Sequence, residues 1–139
     1  MHWRALRARA HALMHTFDVR APSTESIMRT LSGGNQQKLV LAREMTRLEQ
    51  RGATVTGAPP ACQALVVENP TRGLDVRATA DVHARLRTAR DAGAAIVLYS
   101  RDLDEVFALA SRIVVVHASA LREVPSDRDA VGRALLGVA

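Results

Sequence analysis

ALVVENPTRGLDV, residues 64–76, is the stretch that decides the fold class. Ala64 to Val67 is a short continuous apolar run, which predicts a strand buried on both faces. Glu68 closes it, and Asn69, Pro70, Thr71 and Gly73 interrupt any regular period. Asp75 stands where a carboxylate caps a helix, and Gly93 stands where one ends, so Val76 to Ala92 is predicted helical. The pattern then repeats. Ala95 to Tyr99 is a second buried strand. Asp102 with Glu105 forms an acidic capping box for a helix running to about Ala110, and Ile113 to Val116 is a third buried strand. Ser126 with Asp129 opens a last helix, with Val131, Leu135 and Leu136 on one face. Strand, helix, strand, helix, strand is the alternation of an α/β fold, a mostly parallel sheet with flanking helices. Three short strands are few for a sheet covered on both sides, so the chain is expected to be part of a larger domain.

Upstream, Trp3 to Met14 carries Ala, Leu and Arg without Gly or Pro and is predicted helical. Pro22, Ser23 and Thr24 break that pattern, and a short helical turn is expected up to Arg29. Ser32, Gly33 and Gly34 make a small corner, after which Leu39, Leu41, Ala42, Met45 and Leu48 mark one face of a helix over Asn35 to Gln50. Arg51 to Gln63, with two Gly and two Pro and no period, is expected to be a loop.

Composition narrows the function classes. The chain has 139 residues, 47% hydrophobic, enough for one domain with a modest core. No stretch approaches the ~18 apolar residues of a membrane span, and the arginine-studded N-terminus lacks the apolar block of a secretory signal. The net charge of +5 permits anionic partners, yet the arginines are interspersed with Asp and Glu. Aromatic residues are only 3%, which leaves little for base stacking, so no nucleic-acid partner is expected. Cys62 is the single cysteine, which excludes an internal disulfide and a cysteine-based zinc site. His11 and His15 have metal-ligand spacing on a helix, but without a third ligand they are expected to be surface histidines.

A serine and two glycines at the head of a helix present free backbone N–H groups, and the positive end of the helix dipole, to an anion. The whole string LSGGNQQK, Leu31 to Lys38, is more specific, because it resembles the signature motif of ATP-binding cassette (ABC) ATPases. ALVVENPTRGLDV resembles that family's Walker B strand and D-loop, and AIVLYSRDLDEVFALASRIVVV, Ala95 to Val116, resembles its switch loop and the flanking strands. The resemblance covers about Met28 to Val116, and the PTRGLD form is most similar to the second cassette of simple-sugar and nucleoside importer ATPases. It implies a partial P-loop NTPase fold. Residues 1–30 would end the helical subdomain, and residues 31–139 would form the C-terminal part of the ATPase core.

The resemblance also implies a site. In this family ATP lies between two cassettes, held by the Walker motifs of one and the signature of the other. Ser32, Gly33, Gly34, Asn35 and Gln36 would contact the γ-phosphate of a nucleotide held by the partner. Glu68 would face Mg²⁺ through a bound water, Asn69 the attacking water, Asp75 the dimer contact, and Arg101 the switch position. The cofactors implied are ATP and Mg²⁺. The partners are another ABC ATPase domain and membrane permease subunits, at the inner face of the cell membrane.

Three departures from the family pattern bear on activity. No GxxxxGK[ST] string occurs, and Lys38 has the wrong spacing to supply one. Asn69 stands where the family places a water-activating glutamate; a carboxamide takes no proton, and general-base help is worth ~10²–10⁴ in rate. Arg101 replaces the common switch histidine and shuttles no proton. The parts used in trans match well, and those used in cis are altered or absent. Hydrolysis by this chain alone is therefore not expected. Its expected role is to contribute the signature to a partner's ATP. The competing readings are a catalytically silent interaction domain and a nucleic-acid-associated ATPase relative.

Overall fold

The computed structural model describes residues 2–52 and 64–138 and is mixed α/β. It divides into a first unit ending at Val97 and a second beginning at Leu98.

In the first unit, α1 spans Trp3–Thr16, a 3-10 turn Met28–Thr30, α2 Gly33–Gly52, β1 Ala64–Glu68 and α3 Val76–Asp91. β2, Ala95–Tyr99, which spans the division at Val97, pairs with β1, so the central strand–helix–strand motif forms as its apolar runs predict. Asp75 caps α3 by accepting a hydrogen bond from Ala78 N (2.8 Å). At the other end Gly93 takes a φ of +95°, which a β-carbon would resist. The interior of this unit includes Leu41, Ala42 and Met45 from α2, Leu65 and Val67 from β1, and Ala78, Val82 and Leu86 from α3. Positions 78, 82 and 86 recur every four residues, one stripe of a helix. α1 packs against α2 without burying any of its own residues completely. The Arg85 guanidinium lies 4.0 Å over the Phe17 ring and donates to Thr16 O (2.6 Å), which fastens the end of α1 to α3.

Predicted boundaries shift modestly. α1 runs two residues past Met14, and α2 begins at Gly33 and takes in Arg51 and Gly52. The rest of the predicted 51–63 loop lies outside the described residues.

The strands depart from expectation in one respect: none is buried on both faces. In β1, Leu65 and Val67 are buried while Val66 is 74% exposed, and in β2 Val97 and Tyr99 are exposed. A continuous apolar run fixes that a strand forms; whether both faces are covered depends on what else packs there.

In the second unit, α4 spans Leu103–Leu109, β3 Ile113–His117, β4 Ala120–Val124 and α5 Arg128–Leu135. The Asp102 carboxylate caps α4 from the N–H groups of Asp104 and Glu105, and Glu105 itself is buried. The apolar run Ile113 to Val116 predicts a third buried strand. Instead it forms an antiparallel hairpin with β4, Ile113 opposite Val124 and His117 opposite Ala120, leaving Val114 and Val116 exposed. The two loop residues, Ala118 and Ser119, both have positive φ (48° and 64°), as tight hairpin turns require. Neither is a glycine or asparagine, so the turn carries no sequence signal. The cap of α5 is Asp127, which accepts from Ala130 N (2.8 Å), and not the predicted Ser126, which lies one residue too early. α5 turns Val131 and Ala134 onto Ile113 and Val115, while Leu135 and Leu136 face outward rather than completing the stripe. Among the described residues, no helix is long and apolar enough to cross a membrane.

Candidate functional site

The head of α2 and the turn between β1 and α3 line one open cleft of about 860 Å³ in the first unit. Ser32, Gly33, Gly34 and Asn35 come from the first element, and Glu68, Asn69 and Asp75 from the second. Two stretches read separately from the sequence are thereby brought together.

Two contacts hold them in register. Gln37 Nε2 donates to the carbonyl oxygens of Pro70 (3.1 Å) and Asn69 (3.4 Å). Gly34 passes so close to the turn that a β-carbon there would stand 3.1 Å from the Gly73 carbonyl oxygen and 3.7 Å from Leu74 Cδ2. A β-carbon on Gly33 would meet nothing within 4 Å. The two glycines thus have different reasons to be glycine: Gly34 admits the chain's own backbone, and Gly33 keeps the cleft open. Gly34→Val is expected to lower the unfolding free energy by about 1–3 kcal/mol through overpacking. Gly33→Ala should change it by less than about 0.5 kcal/mol, as surface substitutions do. Urea unfolding of both variants checks this.

The hydrogen bonds at the helix head run in one direction. Arg20 N donates to Asn35 Oδ1 (2.8 Å), and Asn35 Nδ2 donates to Ser32 Oγ (3.0 Å). With its oxygen already accepting, the Ser32 hydroxyl has its own proton to give. Gln36 N makes the first helical bond, to Ser32 O (2.9 Å), and Gln36 Nε2 donates to Leu31 O (2.9 Å). The amides of Gly33, Gly34 and Asn35, the first three of α2, therefore have no acceptor within the helix. Among the described residues, the amides of Ser32, Gly33 and Gly34 are not bonded to any other element. Ser32 and Gly33 are exposed. The corner can therefore receive an anion.

The acidic side of the cleft is built by the turn after β1. Glu68 is exposed at the end of the strand. Asn69 follows at a φ of +43°, a left-handed conformation that asparagine tolerates better than most residues, and its carbonyl accepts from Arg72 N (3.1 Å). Asp75 lines the cleft while its carboxylate is engaged in capping α3. Gln36 is half-buried and points its amide back at Leu31. Arg101 belongs to the second unit, exposed on the turn that enters α4.

Sequence reading missed the loop after α1. Lys38 Nζ donates to Asp18 Oδ2 (2.9 Å) and to Asp18 O (3.1 Å), and Asp18 holds a φ of +48°. The lysine that fits no phosphate loop instead ties this loop to α2, across a separation of 20 residues that leaves no local signal. The Lys38 ammonium, followed by the Arg20 guanidinium, holds the Asp18 carboxyl below the usual aspartate range. A carboxyl depressed in the folded state contributes stability above its unfolded pKa, and that contribution fades as pH falls through the folded value. Asp18→Asn should therefore flatten the stability–pH curve below about pH 4, the ordinary aspartate range. Thermal melts of both proteins across the acid range check it.

Among the described residues no group of three or more His, Cys, Asp or Glu side chains is arranged to hold a metal. A divalent cation at Glu68 would thus need most of its ligands from water or phosphate.

Relatives of this chain are import ATP-binding proteins. It is 38% identical over 121 residues to the nucleoside import ATP-binding protein NupA of Lactococcus lactis subsp. cremoris, a match covering 87% of this chain and 21% of that relative. It is 38% identical over 116 residues to the guanosine import ATP-binding protein NupO of Bacillus subtilis, covering 84% and 20%. It is 39% identical over 128 residues to the glucose import ATP-binding protein TsgD13 of Haloferax volcanii, covering 89% and 21%. The chain thus spans about a fifth of the length of the relatives it matches. No family model matches it.

Proposed function

Because this chain belongs with the ABC ATPases of the sugar and nucleoside import class, as the C-terminal part of such an ATPase domain, we propose that it lends its signature corner to ATP held by a partner cassette. The observation that carries the proposal is the relay from Arg20 through Asn35 to Ser32, which leaves a hydroxyl proton and bare amides at the open head of α2. Ser32 Oγ and the amides of Gly33 and Gly34 donate to terminal phosphate oxygens, where fixed dipoles stabilise charge without reorganising. Asn35 acts behind them by orienting the serine, and Gln36 by closing the turn. Glu68 would hold a Mg²⁺ ion through a bound water, and the ion would supply screening of the phosphate charge. Asn69 orients a water without deprotonating it, so the base belongs to the partner's site. Asp75 fixes the start of α3 at the interface, and Arg101 takes the switch position. In this reading residues 1–30 end the helical subdomain, and the assembly works with permease subunits on the cytoplasmic face of the membrane.

The test is association. The 139-residue chain is titrated into the complete guanosine-import relative, with ATP, with ADP and without nucleotide, and complex formation is followed by sedimentation. Binding that requires ATP is the expected result. Binding equal in all three conditions would replace this reading with that of a silent interaction domain.

A further inference from the structure

Three cationic side chains line the cleft, and two of them are committed. Lys38, only 14% exposed, pairs with Asp18, and Arg20 lies 3.7 Å from the same carboxylate. Arg72 is different. It lines the cleft and is exposed, and its guanidinium has no hydrogen bond or ion pair among the described residues.

Its backbone, by contrast, is firmly placed. Arg72 N donates to Asn69 O (3.1 Å), Leu74 N to Thr71 O (3.0 Å), and Gln37 holds the carbonyls of Asn69 and Pro70. Pro70 is fully buried, and the Gly73 carbonyl lies against Gly34. A rigid turn therefore presents an uncommitted guanidinium to the cleft that holds Ser32, Gly33 and Gly34. Intrachain packing gives the arginine no work. An anion in the cleft would.

We infer that Arg72 is a binding residue of this site, whose guanidinium pairs with the phosphate chain of the nucleoside triphosphate that a partner cassette brings to the signature corner. The inference rests on the proposed function and adds to it a charged contact beside the neutral donors of α2. A guanidinium offers two parallel donors to phosphate oxygens, and such charge-assisted bonds are the strong ones. Arg72 therefore favours a triphosphate, the ligand with the most charge within reach.

The experiment compares Arg72→Gln, Arg72→Lys and Ser32→Arg with the unaltered chain in the ATP-dependent association assay, with melting temperatures measured alongside. Arg72→Gln is expected to weaken ATP-dependent association about tenfold, and Arg72→Lys by less, because the charge is kept. Raising salt should weaken the unaltered chain more than Arg72→Gln. Melting temperatures should match. If Arg72→Gln associates normally while Ser32→Arg does not, the inference falls and the proposed function stands. If Ser32→Arg also associates normally, both fall. A loss in Arg72→Gln accompanied by a lowered melting temperature would make the arginine structural and overturn the inference.

Discussion

Ser32→Arg is expected to reduce stimulation of the guanosine-import relative's ATP hydrolysis by this chain about 100-fold or more, while the variant melts like the unaltered protein. The two halves of that expectation have separate origins. Ser32 is exposed, and its known contacts are the bond received from Asn35 Nδ2 and the helical bond that its carbonyl receives from Gln36. Only the first depends on the side chain. Losing it costs ~0.5–1.5 kcal/mol at most, and solvent can replace it. The functional loss is larger because the hydroxyl is a preorganised donor, and removing one such donor costs ~10²–10³ in rate. The arginine also projects into the cleft beside Gly33, where nothing else stands within 4 Å of a β-carbon. The measurement is the hydrolysis rate of the relative at rising concentrations of either chain. A variant that stimulates as well as the unaltered chain would remove the basis of the proposed function.

Leu86→Ala is expected to lower the unfolding free energy by about 2–5 kcal/mol, the usual range for truncating a buried leucine. Leu86 is 3% exposed and completes the buried stripe of α3 with Ala78 and Val82. Deleting its branched end removes apolar contact area and leaves a cavity that neighbouring side chains only partly fill. Val76→Ala on the same helix is the control. Val76 is 88% exposed, so its loss should change stability by less than about 0.5 kcal/mol. Urea midpoints of the two variants give the comparison. For a domain whose total stability is ~5–15 kcal/mol, the first change also reduces the folded population markedly at 37 °C.

The candidate site was legible in part, and the boundary follows the range of the interactions. The Ser32–Gly34 corner and the Asp75 cap are local: a serine or carboxylate meets an amide two or three residues away, so composition and spacing suffice. Gln37, Lys38, Asp18 and Arg20 act across separations of 15 to 33 residues, and no local pattern marks them. Spacing marks Gly34 only as part of the corner, and the structure alone puts the Gly73 carbonyl against it. A sequence specifies that a position needs glycine without naming the neighbour that requires it.

By itself the sequence determined the elements of this protein, β4 excepted, and the order of its motifs. Apolar runs of four or five residues, helix-period stripes and capping carboxylates are set by backbone sterics and hydrogen bonding within a few residues. Tertiary structure alone decided that α2 and the β1–α3 turn share one cleft, that Lys38 is spent on Asp18, and that Arg72 is left over. It also decided that β3 turns back on itself at Ala118 and Ser119 and that each strand keeps one face in the open. Those outcomes depend on which surfaces meet, and the free energy of a meeting belongs to both partners at once.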